Sequence, residues 1–492
     1  MRATRLAFSA LALAALCTTA PSGQAQPPSP NPPSAVGLVK KNKAPVSNDT
    51  LKVKLPKPQE IDLPNGLHLM VLEDHRLPRV SFQIVIPGAG GYYDSPQMTG
   101  LSVYTAQMMR EGTSTRNSQQ IARDLEVMAA SLNVGGSIAG PNATVAGGSL
   151  VEHFPSLFEM AADVLLNPSF PADEWDRLKT RARAGLLQQR AQPGFLSGEM
   201  FAKVVYGDHP AGRNSATPAT LDAITREAMI EAHKTRFVPD HAVIAFAGDI
   251  TLAQAKQLVE SRLGTWKKAG VAKPTVQNPP TPGPAKVYLI ARPSSVQTNL
   301  TVGTQSMVRT DPDYIPLTVT NRVLGGAMGR LFRHLREQKG YTYGVGSGFS
   351  APKHVGSWQA NTAVRTEVTD AALTDLLGDI AQMRNEPIPD DELLDAKRAI
   401  VASFALSLES PEQVLGYYMD IWNNGLPKDY YDTYPAQVMA VTPQQAQAMA
   451  KKYWDPARLQ IVAVGDATKI QSGLAAKGEV EVYDTEGKRI KS

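Results

Sequence analysis

Residues 224–249 read ITREAMIEAHKTRFVPDHAVIAFAGD, and residues 441–466 read VTPQQAQAMAKKYWDPARLQIVAVGD. The two align without a gap at an offset of 217 residues. Each starts a helical repeat at a Thr, passes an aromatic (Phe237, Trp454) and a Pro turn (Pro239, Pro456), and closes an apolar strand with Gly-Asp. Thr ahead of such a repeat is a helix N-cap, and Pro just beyond it is a stop. Upstream, Pro171-Ala-Asp-Glu pairs with Pro389-Asp-Asp-Glu and Pro193 with Pro411, now at offset 218. A shift of one residue over that span is what a single insertion leaves in a duplicated unit. The chain therefore reads as two related domains, 51–270 and 285–492, joined by the Pro-rich stretch 271–284 as a semi-rigid linker.

Working outward, 66–72 and 79–87 alternate as strands, and 101–110 and 118–131 carry helical spacing. Residues 132–149, rich in Gly, Val and Thr, return to strand, and 151–166 to helix. The second domain repeats this order from Ala285. Groups of strands alternating with groups of helices, without strict strand–helix–strand units, argue an α+β fold with mostly antiparallel sheets.

Arg2 and Arg5 precede an apolar run over 6–17, and a small-residue stretch ends at Gly23-Gln24-Ala25. That is the pattern of a secretory signal peptide, 1–25. Leu16, a bulky neighbour, weighs against reading Cys17 as a lipidation site. Cys17 is the one cysteine of the chain, so the processed protein holds no disulfide although export permits them. An exported, disulfide-free chain with an Ala-rich signal fits a bacterial periplasm. Residues 26–50 are rich in Pro, Ser and Asn and read as a poorly ordered arm. No later stretch approaches the roughly 18 apolar residues of a membrane span. With a formal charge of +4 and no Lys/Arg-dense face, nucleic acid is not an expected partner.

Eight histidines (68, 75, 153, 209, 233, 241, 334, 354) are scattered, and no two lie three or four residues apart. Two helical His ligands need that spacing to reach one metal ion. Neither H-E-x-x-H nor H-x-x-E-H occurs, nor a G-x-S-x-G elbow or a phosphate-cradling Gly loop with a Lys after it. A long-range site from scattered His stays open, but isolated His residues are more simply surface or core polar groups.

The segment Gly91-Tyr-Tyr-Asp-Ser-Pro-Gln-Met-Thr-Gly-Leu-Ser resembles the stretch that precedes H-x-x-E-H in the pitrilysin/insulinase zinc peptidases, mitochondrial processing peptidase among them. Residues 108–113, MMREGT, resemble the stretch on the C-terminal side of that motif. Val103, Ala106 and Gln107 stand where the resemblance places the two His ligands and the general-base Glu. The third ligand, a later Glu, falls near Arg183 or Ala184, and 177–198 contains no Asp or Glu. The resemblance therefore implies a degenerate zinc site and no metal bound by this chain.

In the second domain, residues 325–343, GGAMGRLFRHLREQKGYTY, resemble the family's C-terminal signature, in which an Arg and a Tyr seven residues later hold substrate at the zinc site of another half. Here these are Arg336 and Tyr343, with Tyr341 a second candidate. Periodicity places a helix over 329–339 with Leu331, Phe332 and Leu335 inward and Gly340 at its C-terminal end. An Arg can fork onto a peptide carbonyl, and a Tyr hydroxyl can donate to a developing oxyanion. The bland alternative is an Arg complementing a helix dipole and a Tyr in a strand that suits it.

The resemblance implies two homologous α+β domains facing each other across a cavity. It further implies a non-catalytic, substrate-binding subunit whose partner is a homologous chain carrying H-x-x-E-H and zinc, with peptides as substrates. A stand-alone peptide-binding protein or scaffold is the alternative. An assembly protein would need neither Arg336 nor Tyr343. An intact single-chain zinc protease fits least.

Overall fold

The computed structural model describes residues 53–490; the expected signal peptide at 1–25 and the expected arm at 26–50 lie outside them. The first half contributes β1 (Gln59–Asp62), β2 (His68–Glu73), β3 (Arg79–Pro87), β4 (Ser131–Gly136), β5 (Asn142–Leu150) and β6 (Val243–Gly248). Its helices are α1 (Leu101–Met109), α2 (Ser118–Val127), α3 (Phe154–Leu166), α4 (Ala172–Arg190), α5 (Pro193–Tyr206), α6 (Pro218–Ala223), α7 (Arg226–Arg236) and α8 (Leu252–Leu263). The second half contributes β7 (Val287–Ala291), β8 (Gln297–Gln305), β9 (Thr342–Phe349), β10 (Ser357–Arg365), β11 (Gln460–Gly465) and β12 (Val480–Tyr483). With them come α9 (Tyr314–Gly325), α10 (Thr369–Asn385), α11 (Asp390–Ser407), α12 (Pro411–Asn424), α13 (Tyr430–Ala440), α14 (Pro443–Tyr453) and α15 (Ala467–Ala475). No helix among the described residues is long and apolar enough to cross a membrane.

Each half forms one six-stranded, mostly antiparallel sheet, in the orders β1-β2-β6-β3-β5-β4 and β12-β7-β11-β8-β10-β9. The duplication is literal in places. β6 and β11 begin and end 217 residues apart, and α5 and α12 begin and end 218 apart. The outer strand beside β2 is its chain predecessor β1, paired antiparallel, whereas the equivalent place beside β7 is filled by the last strand, β12, paired parallel. The stretch 132–149, expected as strand throughout, is a hairpin: Gly140 bonds back to Ser137, and the chain turns between β4 and β5. The helix expected over 118–131 stops at Val127, where Ala129 takes a positive φ and releases the chain into β4.

Each sheet buries one face under its own helices and part of the other under a helix from the opposite half. α5 lays Leu196, Met200, Phe201 and Val205 on Ile290, Val462 and Val464 of the second sheet. α12 lays Val414, Leu415 and Tyr418 on Met70, Leu72, Val243 and Ala245 of the first. This exchange is why β6 and β11 are buried along their whole length and are apolar from Val243 and from Ile461 onward. Gly303 of β8 sits where a Cβ would come within 2.7 Å of the Phe201 ring. The halves thus share apolar contacts, and cavities of about 280 and 290 Å³ remain between them.

Candidate functional site

In the first half the site-bearing element is α1. Its N-terminus comes after Gly100, whose φ of +102° is a conformation that glycine adopts freely. No side chain of Gly100 can cap the helix, and Asp94 takes that role from six residues upstream. Its carboxylate, fully buried, accepts from Gly100 N (3.2 Å), Ser102 N (3.0 Å) and Ser102 Oγ (2.6 Å). Arg236 of α7 donates to the same carboxylate at 2.7 Å, and Arg213 donates to the Asp94 carbonyl at 2.6 Å. A carboxylate at a helix N-terminus is favoured by the helix dipole, and the half-buried Arg236 guanidinium completes its charge balance. Sequence reasoning reached Asp94 only as part of a motif and missed its capping role; the signal was an acidic residue shortly before a Gly-initiated helix.

On α1, Val103 is half-buried, Ala106 fully buried and Gln107 exposed. Positions 103 and 107 lie one turn apart on one face, the spacing two imidazole ligands need. Val offers no lone pair, Ala no carboxylate and Gln only a neutral amide. On α4, Arg183 pairs with Asp222, and Arg181 reaches Glu111 at 3.4 Å. Burial pushes the Glu111 carboxyl up, against the pull of Arg181. This donor set does not fit a zinc ion. Among the described residues, no group of three or more His, Cys, Asp or Glu side chains is placed to hold a metal.

In the second half, residues 332–338 form a π-helical turn (Phe332–Gln338) after a short helical start. Leu331 and Leu335 are fully buried and fix it to the core. Arg330 forks onto Glu392 of α11 (2.6 and 3.1 Å), Arg333 pairs with the same carboxylate, and His334 bonds Asp379 of α10 at 2.9 Å. Phe332, expected inward, is only half-buried. Phe332 and Arg336, four residues apart, share one face of the turn, and the guanidinium lies 4.6 Å from the Phe332 ring centre. Gly340, with φ of +60°, ends the helix, and Tyr341 N bonds back to Leu335 O at 3.0 Å.

The same guanidinium lies 5.1 Å from the Tyr343 ring, so Arg336 is held between two aromatic rings. Among the described residues its side chain makes no ion pair and no hydrogen bond. Tyr343 is 90% exposed, while Tyr341 packs against the second core. Two residues apart on a regular strand they would share a face. The β9–β10 register slips between Thr362 and Val364, opposite Tyr343, and this bulge turns Tyr343 out to solvent. Thr342 Oγ1 holds the bulge by donating to Ala363 O at 2.7 Å.

The structure brings Arg336 and Tyr343 together but does not join them to positions 103–107. α1 packs on α7, β4 and α4, whereas the π-helical turn packs on β9 and α10. No hydrogen bond or ring contact among the described residues links the two sets. β4 and β9 are also the outer strands of their sheets on the side of these sites.

These features define a two-half α+β chain whose first half carries no metal-binding side chain at positions 103, 106 and 107. A family model described as "Insulinase (Peptidase family M16)" matches residues 69–218, and one described as "Peptidase M16 inactive domain" matches 223–400. The chain belongs to the insulinase family of peptidases, M16. It is 25% identical over 353 residues to the "Uncharacterized zinc protease YmxG" of Bacillus subtilis (strain 168), covering 70% of this chain and 83% of that one. It is 23% identical over 402 residues to the "Non-peptidase homolog YmxG" of Helicobacter pylori, covering 81% and 91%. The crystal structure of a peptidase M16 inactive domain from Pseudomonas fluorescens superposes with a TM-score of 0.76 at 27% identity, covering 83% of this chain and 98% of that one.

Proposed function

We propose that this chain is the non-catalytic, substrate-binding subunit of a two-chain metallopeptidase. It presents Arg336 and Tyr343 to the active site of a homologous subunit that carries H-x-x-E-H and the zinc, and the pair of chains encloses peptides in a chamber. The signal-like N-terminus supports a role outside the cytoplasm, in a periplasm. The observation that carries the reading is the Arg336–Tyr343 pair. An unneutralised guanidinium and an exposed phenol are held 5.1 Å apart on a braced turn and a bulge. The guanidinium has its N–H fork free for a peptide carbonyl, and the Tyr343 hydroxyl is free to donate to an oxyanion. The outer strands β4 and β9 carry the backbone groups onto which an extended peptide can add.

The test is an affinity pull-down of the tagged full chain from its own host, assaying metal and peptidase activity in the eluate. The expected result is co-elution of a zinc-bearing homologue. Arg336→Ala with Tyr343→Phe should then lower activity by about 10²–10³, the scale of one lost oxyanion donor. A chain that elutes alone, metal-free and inactive sinks this proposal and leaves the stand-alone peptide-binding or scaffold reading.

A further inference from the structure

The cavity of about 280 Å³ between the halves lies at the end of the first sheet, and neither Arg336 nor Tyr343 lines it. Its wall combines His68 of β2, Trp422 and Asn423 at the end of α12, Lys273 of the linker and Lys353 of the β9–β10 loop. Two cations therefore meet at one small cavity. Among the described residues, neither lysine has an ion pair or a side-chain hydrogen bond. The one carboxylate in the wall, Asp62, is engaged by His68 Nδ1 at 2.8 Å.

Lys353 is half-buried, and burial together with the charge of Lys273 pushes its ammonium down. A fold with no use for that charge would place a neutral side chain there, because an uncompensated cation drawn from water destabilises the folded state. Asn423 Oδ1 of the same wall is buried without a hydrogen-bond partner, and His68 Nε2, also without one, lies 3.6 Å from the Glu60 carboxylate. The imidazole of His68 is stacked on the Trp422 indole (centres 6.0 Å apart, 13° between planes), which fixes its direction. An Asn amide can turn its NH₂ edge toward an acceptor, and two ammonium groups supply up to six more donors.

We infer that this inter-half cavity is a binding site for a small oxyanion, a carboxylate or a phosphate, held by Lys273 and Lys353 with Asn423 and His68 beside them. Binding there ties the linker, the β9–β10 loop and α12 together, so the ligand acts as a clasp between the halves. The inference is independent of the shared active site proposed above.

The experiment is titration of the full chain monitored by calorimetry and by tryptophan emission, since Trp422 is one of five Trp and lines the cavity. The probes are inorganic phosphate, acetate, and one short peptide with either a free or an amidated C-terminus. Saturable binding of phosphate, or of the free but not the amidated peptide, supports the site and identifies which head group it takes. Lys353→Met and Lys273→Met should each weaken that binding about tenfold or more, the scale of one lost charged contact. Without ligand, Lys353→Met should melt no lower than the parent chain, because it removes a repelled, half-buried charge. Absence of binding by every probe at tens of millimolar overturns the inference. So does binding that is unchanged in the folded double variant, or in Lys353→Gln should the Met variants fail to fold.

Discussion

Phe201→Ala tests whether the helix exchange, and not the linker alone, makes one unit of the two halves. Phe201 of α5 is 3% exposed and stands on β8 of the other half, over Gly303. Truncating it removes the ring and leaves a void facing a glycine, which has no side chain to swing in. That puts the loss toward the upper part of the Phe→Ala range, about 3–5 kcal/mol, a large share of a usual stability of about 5–15 kcal/mol. Urea unfolding monitored by far-ultraviolet circular dichroism and by Trp emission reads it directly. Trp175 and Trp266 report on the first half, Trp358 and Trp454 on the second, and Trp422, stacked on His68, on the contact between them. One transition should move to lower urea with its slope unchanged. The mirror substitution, Leu415→Ala in α12, should cost about 2–5 kcal/mol in the same manner. A loss below about 1 kcal/mol would refute the reasoning. So would two separated transitions of which only one moves, because α5 would then stabilise only its own half.

Asp94→Ala leaves Arg236 facing an empty buried site and frees the α1 N-terminus; it should destabilise by about 3–5 kcal/mol, and Asp94→Asn by less, in thermal melts. His354, wedged among Tyr92, Tyr206 and His209, is held at about 4 by burial and by the His209 charge. The unfolded chain titrates it near 6.5, so the unfolded state binds more protons between those values. Stability should be full above about pH 6.5 and fall by about 2–3 kcal/mol as the pH drops toward 4. His354→Phe should flatten that slope, as read by urea midpoints across the same range.

The duplication was legible because it left shared punctuation, the Thr, the Pro and the Gly-Asp, at positions now seen to cap and close equivalent elements. β6 and β11 begin at His68-paired Val243 and at Gln460, in the register the alignment gave. What covers a buried face was not legible. The apolar side of α5 announces burial, but nothing local says that the sheet beneath it belongs to the other half. The substitution of β12 for β1 at equivalent outer positions is a long-range choice of the same kind. Phe332 misled periodicity for another reason: a π turn breaks the regular repeat on which facing is judged, as the bulge at Tyr343 does in its strand. Arg336 and Tyr343 came from resemblance, and the described geometry adds that they touch each other.

The two halves treat their site residues differently, and the difference bears on function. In the first half, what persists is scaffold. Asp94, Ser102, Arg213 and Arg236 hold α1 by buried, charge-assisted bonds, while the outward positions 103 and 107 carry no chemistry. That network is accounted for by folding alone, because losing it would free a helix N-terminus and strand a buried charge. In the second half, the fold gains little from Tyr343, which is 90% exposed, or from the charge of Arg336, which nothing neutralises. Leu331, Leu335 and the Glu392 and Asp379 pairs would hold the turn without them. Irregular backbone spent on presenting an aromatic and a free guanidinium is what a binding surface requires and a core does not. One half thus spends its buried polar groups on a frame and the other exposes two groups that its fold does not need, which is the division that the proposed gripping subunit requires.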